Sequence, residues 1–191
     1  MDISPEELWA NKFGDEYTKR NRVKWWLRVP FWTNIVGKTM ARSYLEYGCN
    51  AGWNLSAIKD LDCGFELQGH EINREARLQA HSAGLDVVPE WHMSRRAELV
   101  FTAGVLIHVP TKRLSEVMQQ IYDLSYDYIL AVEYEAEDEE MVEYQGQANL
   151  LWKRPYGQIY MNMFPDLTAI ETGEAGEDVG FDNCRYWLFR K

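Results

Sequence analysis

Leu45-Glu46-Tyr47-Gly48-Cys49-Asn50-Ala51-Gly52-Trp53-Asn54-Leu55 is the stretch where the chain changes character. Residues 44–47 form a short apolar run that reads as a strand, Gly48 to Gly52 as a tight turn, and Leu55, Ile58 and Leu61 recur behind it at helical spacing. Strand, glycine turn and helix in that order open a βαβ unit, which implies a parallel sheet. With no side chains at Gly48 and Gly52, the backbone can approach a ligand closely and aim amide N–H groups at its polar end.

The same alternation continues downstream. Strands are expected over 65–72, 85–88, 98–103 and 128–133, with a helix over 74–83 that Asn73 can N-cap and Gly84 can end in a left-handed residue. Thr111 is expected to cap a further helix whose core face is Leu114, Val117, Met118, Ile121 and Leu124. The acidic stretch from Glu133 to Glu143 reads as a solvated loop. A helix over 148–163 follows, closed by Phe164-Pro165-Asp166. Strands over 167–172 and 185–190 have no helical pattern between them, so they should form a hairpin with one strand antiparallel to the rest. Upstream, Trp9, Phe13, Tyr17, Trp25, Trp26, Phe31 and Trp32 are spaced as in helices, and residues 1–42 read as a helical N-terminal extension before a sheet domain at 43–191. The expectation is a single α/β domain with a seven-stranded, mostly parallel sheet.

At 191 residues, 46% hydrophobic and 26% charged, the chain can bury a full core without disulfide or metal staples. Its net charge of −10 repels phosphate backbones and weighs against duplex nucleic acid as a partner. Cys49, Cys63 and Cys184 are odd in number and show no C-x-x-C spacing, which suggests a reducing compartment. The opening Met1-Asp2-Ile3-Ser4-Pro5-Glu6-Glu7 lacks the blocks of a signal peptide, and no apolar run is long enough to cross a membrane. The expectation is a soluble cytoplasmic protein. His70, His81 and His92 show no zinc-site spacing.

Nineteen residues after Gly52, Glu71 closes the second strand. In a doubly wound sheet a carboxylate there faces a ribose lying across the first two strand ends and accepts from both of its hydroxyls. The turn then selects among adenosine ligands. A dinucleotide fingerprint requires glycine where Asn50 stands, and no Walker string occurs. Acid-x-Gly-x-x-x-Gly, Glu46 to Gly52, resembles the first motif of class I S-adenosylmethionine-dependent methyltransferases, a Rossmann-like fold that also ends in an antiparallel hairpin.

Three further segments sharpen the resemblance: Leu8-Trp9-Ala10-Asn11-Lys12-Phe13-Gly14-Asp15-Glu16-Tyr17-Thr18-Lys19-Arg20-Asn21, Phe101-Thr102-Ala103-Gly104-Val105-Leu106-Ile107-His108-Val109, and Tyr144-Gln145-Gly146 through Lys153-Arg154. Together they resemble the pseudaminic acid biosynthesis-associated methylases over nearly the whole chain. The departures are Gln145, where that family tends to have Arg, and Pro155-Tyr156, where it has an acidic-aromatic pair. The resemblance implies methyl transfer from S-adenosylmethionine, in families linked by association to nine-carbon sugar pathways.

The candidate cofactor residues are Tyr17, Glu46, Gly48, Cys49, Asn50, Gly52, Asn54, Leu55, Glu71, Ile72, Thr102 and Gly104, with Trp91, His92 and Met93 about where an adenine ring is sandwiched. Tyr17 with Asn21 could close over the methionine end, and Arg20 could clamp a carboxylate. Candidate catalytic groups are His108, whose ordinary pKa lies near neutrality, and Glu133 and Tyr134 at the end of the fifth strand. Tyr144, Lys153 and Arg154 are candidates for acceptor binding; otherwise Lys153 and Arg154 form a solvated helix face. Two other functions stay open: methylation of a nucleobase or nucleic acid, against which stands the absence of an Asp/Asn-Pro-Pro-Tyr string, and a nucleoside-binding module without turnover.

Overall fold

A computed structural model describes residues 4–191; the first three residues of the expected extension lie outside the described residues. The chain opens with helices α1 (Pro5–Ala10), α2 (Lys12–Arg20) and, after a 3-10 turn at Trp25–Arg28, α3 (Val29–Thr39). Ser4 caps α1 through a capping box with Glu7, and Pro5 stands in the first turn, where its missing N–H costs nothing.

Strands β1 (Ser43–Tyr47), β2 (Glu66–His70), β3 (Asp86–Val88), β4 (Ala97–Ala103) and β5 (Ser125–Glu133) are linked through α4 (Trp53–Lys59), α5 (Arg74–Ser82) and α6 (Thr111–Leu124). A hairpin of β6 (Glu140–Tyr144) and β7 (Gln147–Lys153), helix α7 (Tyr156–Met163), and strands β8 (Thr168–Ala175) and β9 (Cys184–Arg190) complete the chain. The main sheet runs β3-β2-β1-β4-β5-β9-β8, parallel as far as β5, with β9 antiparallel to both neighbours. The expected seven-stranded sheet with its terminal hairpin is therefore observed.

Side-chain alternation divides the core. Phe101, Leu130 and Leu188 point to the face covered by Phe31, Trp32 and Ile35 of α3 and Leu55 and Ile58 of α4. Their neighbours Val100, Ile129 and Phe189 point to the other, against Val117 and Ile121 of α6 and Tyr160 of α7. The strand order reverses between β1 and β4, and an open α/β sheet binds ligands outside its carboxyl ends at that place.

Several expectations need correction. Residues 148–153 are strand and not helix: Gln145 (φ 54°) and Gly146 (φ 73°) both adopt left-handed conformations and turn β6 back on β7, so part of the expected acidic loop is strand, with Glu140 paired opposite Lys153 and Glu143 at a shift in register. Thr111 does not cap α6; Pro110 occupies that position and the Thr111 hydroxyl donates to Glu139. β2 ends at His70, leaving Glu71 one residue past the strand. Asn73 caps α5 through the Ala76 N–H, and Gly84 is left-handed (φ 72°), as expected.

Candidate functional site

At the carboxyl ends of β1, β2 and β4 lies a cavity of about 400 Å³, walled by the glycine turn, the loops after β2, β3 and β4, and the N-terminal helices. The turn positions its ligands by backbone geometry. Gly48 is left-handed (φ 76°), its N–H and that of Cys49 donating to the His70 carbonyl, which ties β1 to β2. Asn50 is also left-handed (φ 47°) and donates its N–H to Glu71 Oε2 at 2.7 Å. Asn73 N–H donates to Glu71 Oε1 at 2.7 Å, so both carboxylate oxygens are oriented and each keeps a lone pair. Burial raises the Glu71 pKa against these donors.

Glu46, in β1, also lies on the wall. Asn54 Nδ2 donates to its Oε1 at 2.6 Å, while Oε2 is buried without a partner among the described residues. Burial pushes its carboxyl up to about 8, against the Asn54 donor and the Arg28 charge. The Arg28 guanidinium donates to Asn54 Oδ1 and to the Gly180 carbonyl, each at 2.9 Å, and lies 4.2 Å from the Phe181 ring centroid. Burial lowers its pKa. Arg28 was not among the residues singled out from the sequence: it stands in a 3-10 turn with no periodic signal, and its partners are up to 152 residues distant.

Tyr17, Asn21, Cys49, Asn54, Ile72, Trp91, His92, Gly104 and His108 join Glu46, Gly48, Asn50 and Glu71 on the wall. A Cβ on Gly104 would meet only Ile107, at 3.9 Å, so that backbone is open to a ligand. Burial raises the Tyr17 hydroxyl to about 12 and lowers His108 to about 4. His108 Nδ1 is 2.6 Å from the Leu150 carbonyl, which can only accept, so Nδ1 carries the proton and Nε2 the lone pair. Trp9 packs on His108 with centroids 4.5 Å apart, and the Tyr144 ring centroid lies 5.3 Å from it.

Other sequence candidates lie elsewhere. Gly52 is left-handed (φ 77°), but a Cβ there would strike Leu85 Cδ1 at 2.2 Å, so its bareness serves helix packing and not ligand approach. Leu55 and Thr102 are fully buried away from the cavity wall, and Met93 is exposed. Arg20 is exposed, its guanidinium near the Phe13 and Tyr17 rings; Arg28 takes the cavity position instead. Glu133 accepts from the Val105 and Ile107 N–H groups, at 3.2 and 3.4 Å, and burial raises it to about 7; it holds the loop after β4 from behind and is not on the wall. Tyr134 reaches Asp182 at 3.4 Å. Lys153 pairs opposite Glu140 in the hairpin. Arg154 is 1% exposed and not a solvated helix residue: it donates to Glu139 at 2.6 Å, to the Leu106 and Val109 carbonyls and to Thr111, leaving no face for an acceptor.

A larger hollow of about 920 Å³ lies between the ends of β5, β8 and β9, lined by Glu135, Glu137, Glu174, Glu177 and Asp178 against Arg185. No group of three or more His, Cys, Asp or Glu among the described residues could hold a metal ion. The smaller cavity, at the strand switch and with oriented carboxylates, is the candidate site.

No family profile and no curated protein matches the sequence. Solved structures do match in fold. Magnesium protoporphyrin IX methyltransferase from Synechocystis PCC 6803, with S-adenosylmethionine bound, superposes with a TM-score of 0.71 over 100% of this chain and 98% of that one, at 11% identity. The 1,6-didemethyltoxoflavin-N1-methyltransferase of Burkholderia thailandensis gives 0.69 over 96% and 84%, at 14% identity. Coclaurine N-methyltransferase gives 0.64 over 86% and 72%, at 10% identity. Identities this low speak for fold alone, and the fold is the Rossmann-like one of these methyltransferases.

Proposed function

We propose that the chain transfers a methyl group from S-adenosylmethionine to a small-molecule acceptor, a sugar or nucleotide-sugar of a surface-glycan pathway, in the cytoplasm. One observation carries the cofactor reading: a single cavity carries on one wall a carboxylate pre-oriented by two backbone N–H groups, Glu71, together with the Arg28 guanidinium and the glycine turn. Glu71 suits a ribose diol and Arg28 an α-carboxylate. When bound, S-adenosylmethionine supplies a methyl group already activated by the positive sulfur. The chain's own residues then align and enclose.

Residues 1–42 act as a lid in this reading. Asn50 Nδ2 donates to Thr18 of α2 at 3.1 Å, Asn73 Nδ2 donates to the Trp9 carbonyl and to Asp15, and Glu6 pairs with Arg113 of α6 at 3.2 Å, which brings Trp9 and Tyr17 over the cavity. His108 Nε2 is the proton acceptor when the acceptor group is a hydroxyl or protonated amine. The Leu150 carbonyl fixes its tautomer, and Glu133 holds its loop.

The sugar reading rests on the resemblance of segments 8–21, 101–109 and 144–154 to the pseudaminic acid-associated methylases. The small-molecule reading is supported by the size of the cavity, about 400 Å³, and by the porphyrin and toxoflavin methyltransferases that share the fold. The test incubates the whole chain with methyl-labelled S-adenosylmethionine against nucleotide-activated acidic sugars and against single-stranded DNA or RNA. Label is expected in the sugar pool. Label in nucleic acid alone would replace the small-molecule reading, and label in neither, with nucleoside binding intact, would make the protein a binding module.

A further inference from the structure

We propose that His70 reads the purine ring of the bound nucleoside by donating a hydrogen bond from Nε2 to a ring nitrogen, an inference that rests on the S-adenosylmethionine reading above. His70 closes β2 immediately before Glu71 and forms part of the cavity wall, 5% exposed. Its ring is held by packing: Tyr47 lies against it with centroids 4.5 Å apart, and Tyr47 is in turn fixed by donating its hydroxyl to Gln120 Oε1 at 2.7 Å. Nδ1 is sealed in protein with no partner among the described residues. Nε2 is therefore the nitrogen left to meet whatever enters the cavity.

Burial, with the Arg77 charge acting in the same direction, lowers the His70 pKa to about 4, so the ring is neutral near pH 7 and carries one proton. A buried N–H with no acceptor is a rarer state than a buried bare acceptor, which puts the proton on Nε2 and the lone pair on the sealed Nδ1. The site thus presents a donor. Its surroundings select the acceptor: Ile72, Pro89 and Trp91 offer apolar surface on the same wall, next to the carboxylate that suits a ribose, while Glu71 and Glu90 repel a phosphate. A base attached to a ribose at Glu71 reaches this part of the wall, and a purine carries unsubstituted ring nitrogens that accept in its plane.

The test is calorimetry on the full chain with S-adenosylhomocysteine and its 1-deaza, 3-deaza and 7-deaza analogues, each lacking one ring nitrogen. Wild type should bind one of the three at least tenfold more weakly than the parent. In His70→Phe, which keeps a ring against Tyr47, parent binding should fall to the level of that analogue and the discrimination should shrink to within twofold. His70→Gln, which keeps a donor near the Nε2 position, should retain part of it, and it carries the comparison with wild type should the Phe variant fail to fold. A role in packing alone would weaken all four compounds together and leave their ratios unchanged, which overturns the proposal. So would equal binding of all four by wild type, or unchanged nucleoside binding in His70→Phe with a raised KM for the acceptor. Wild type that binds the parent and ignores the deaza changes sinks the His70 assignment alone; wild type that does not bind the parent sinks the cofactor reading with it.

Discussion

Glu71 is oriented before any ligand arrives, because the Asn50 and Asn73 N–H groups hold its two oxygens and leave it little freedom to lose on binding. Two charge-assisted hydrogen bonds to a ribose are worth roughly 1.5–3 kcal/mol each. Glu71→Ala should accordingly weaken S-adenosylhomocysteine binding by tenfold or more in calorimetry, and equal affinity would remove Glu71 from the site. Glu133, at the back of the same loops, gives a pH prediction. Its pKa is raised from 4.5 to about 7, so the folded state holds a proton that the unfolded state has released across that interval. The stability it contributes is complete below about 4.5 and is lost as pH rises to about 7. Glu133→Gln cannot ionise, so the difference in Tm between variant and wild type should move in the variant's favour from pH 5 to 8. A constant difference would show that Glu133 titrates alike in both states.

Elements differ in how far their sequence announces them. The turn from β1 to α4 was legible because its glycines, flanking apolar spacing and following acid are all local signals, and the structure finds the same strand, turn and helix. The β6–β7 hairpin was not, because its outer strand is acidic like a loop and the apolar residues after it also suit a helix; Gln145-Gly146, both at positive φ, was the available sign. The burial of Arg154 is illegible for the same reason, since it depends on partners in the loop after β4 that pattern cannot bring near. Both glycines of the legible turn leave room for a neighbouring side chain, Gly48 for Val105 (a Cβ would meet Cγ2 at 2.7 Å) and Gly52 for Leu85, and only Gly48 lies on the cavity wall. Gly52 meets the Leu85 side chain, so Gly52→Val must both strain a left-handed residue, at roughly 1–2 kcal/mol, and overpack the core, at roughly 1–3 kcal/mol. The expected result in thermal unfolding is a marked loss of stability, with nucleoside affinity at low temperature reduced much less. Full stability with abolished binding would return Gly52 to the ligand cradle.

Across the whole molecule, the cavity is built by the sheet and closed by helices that add little to the core. α1 contributes no buried residue, and α2 contributes only Gly14 and Thr18, whereas Phe31, Trp32 and Ile35 of α3 lie in the core on the sheet face they cover. What fastens α1 and α2 is mostly polar, Asn73 to the Trp9 carbonyl and Asp15, Asn50 to Thr18, and Glu6 to Arg113, with the Trp9 ring on His108 and Phe13 near Tyr144 as the aromatic contacts. Such contacts dock an element without making the fold depend on it, since each is worth roughly 0.5–1.5 kcal/mol net and the exposed ion pair less. Deleting residues 1–21 should therefore leave the far-ultraviolet circular dichroism of the sheet and a cooperative unfolding transition in place. It should weaken nucleoside binding moderately, because Tyr17 leaves the wall while Glu46, Arg28 and Glu71 remain. Methyl transfer should be lost altogether, because the reacting centre would stand open to water and His108 would lose the Trp9 ring that covers it. A shortened chain that still turns over at the full rate would show that α1 and α2 are not the cover, and that the acceptor is held by the sheet loops and the β6–β7 hairpin alone.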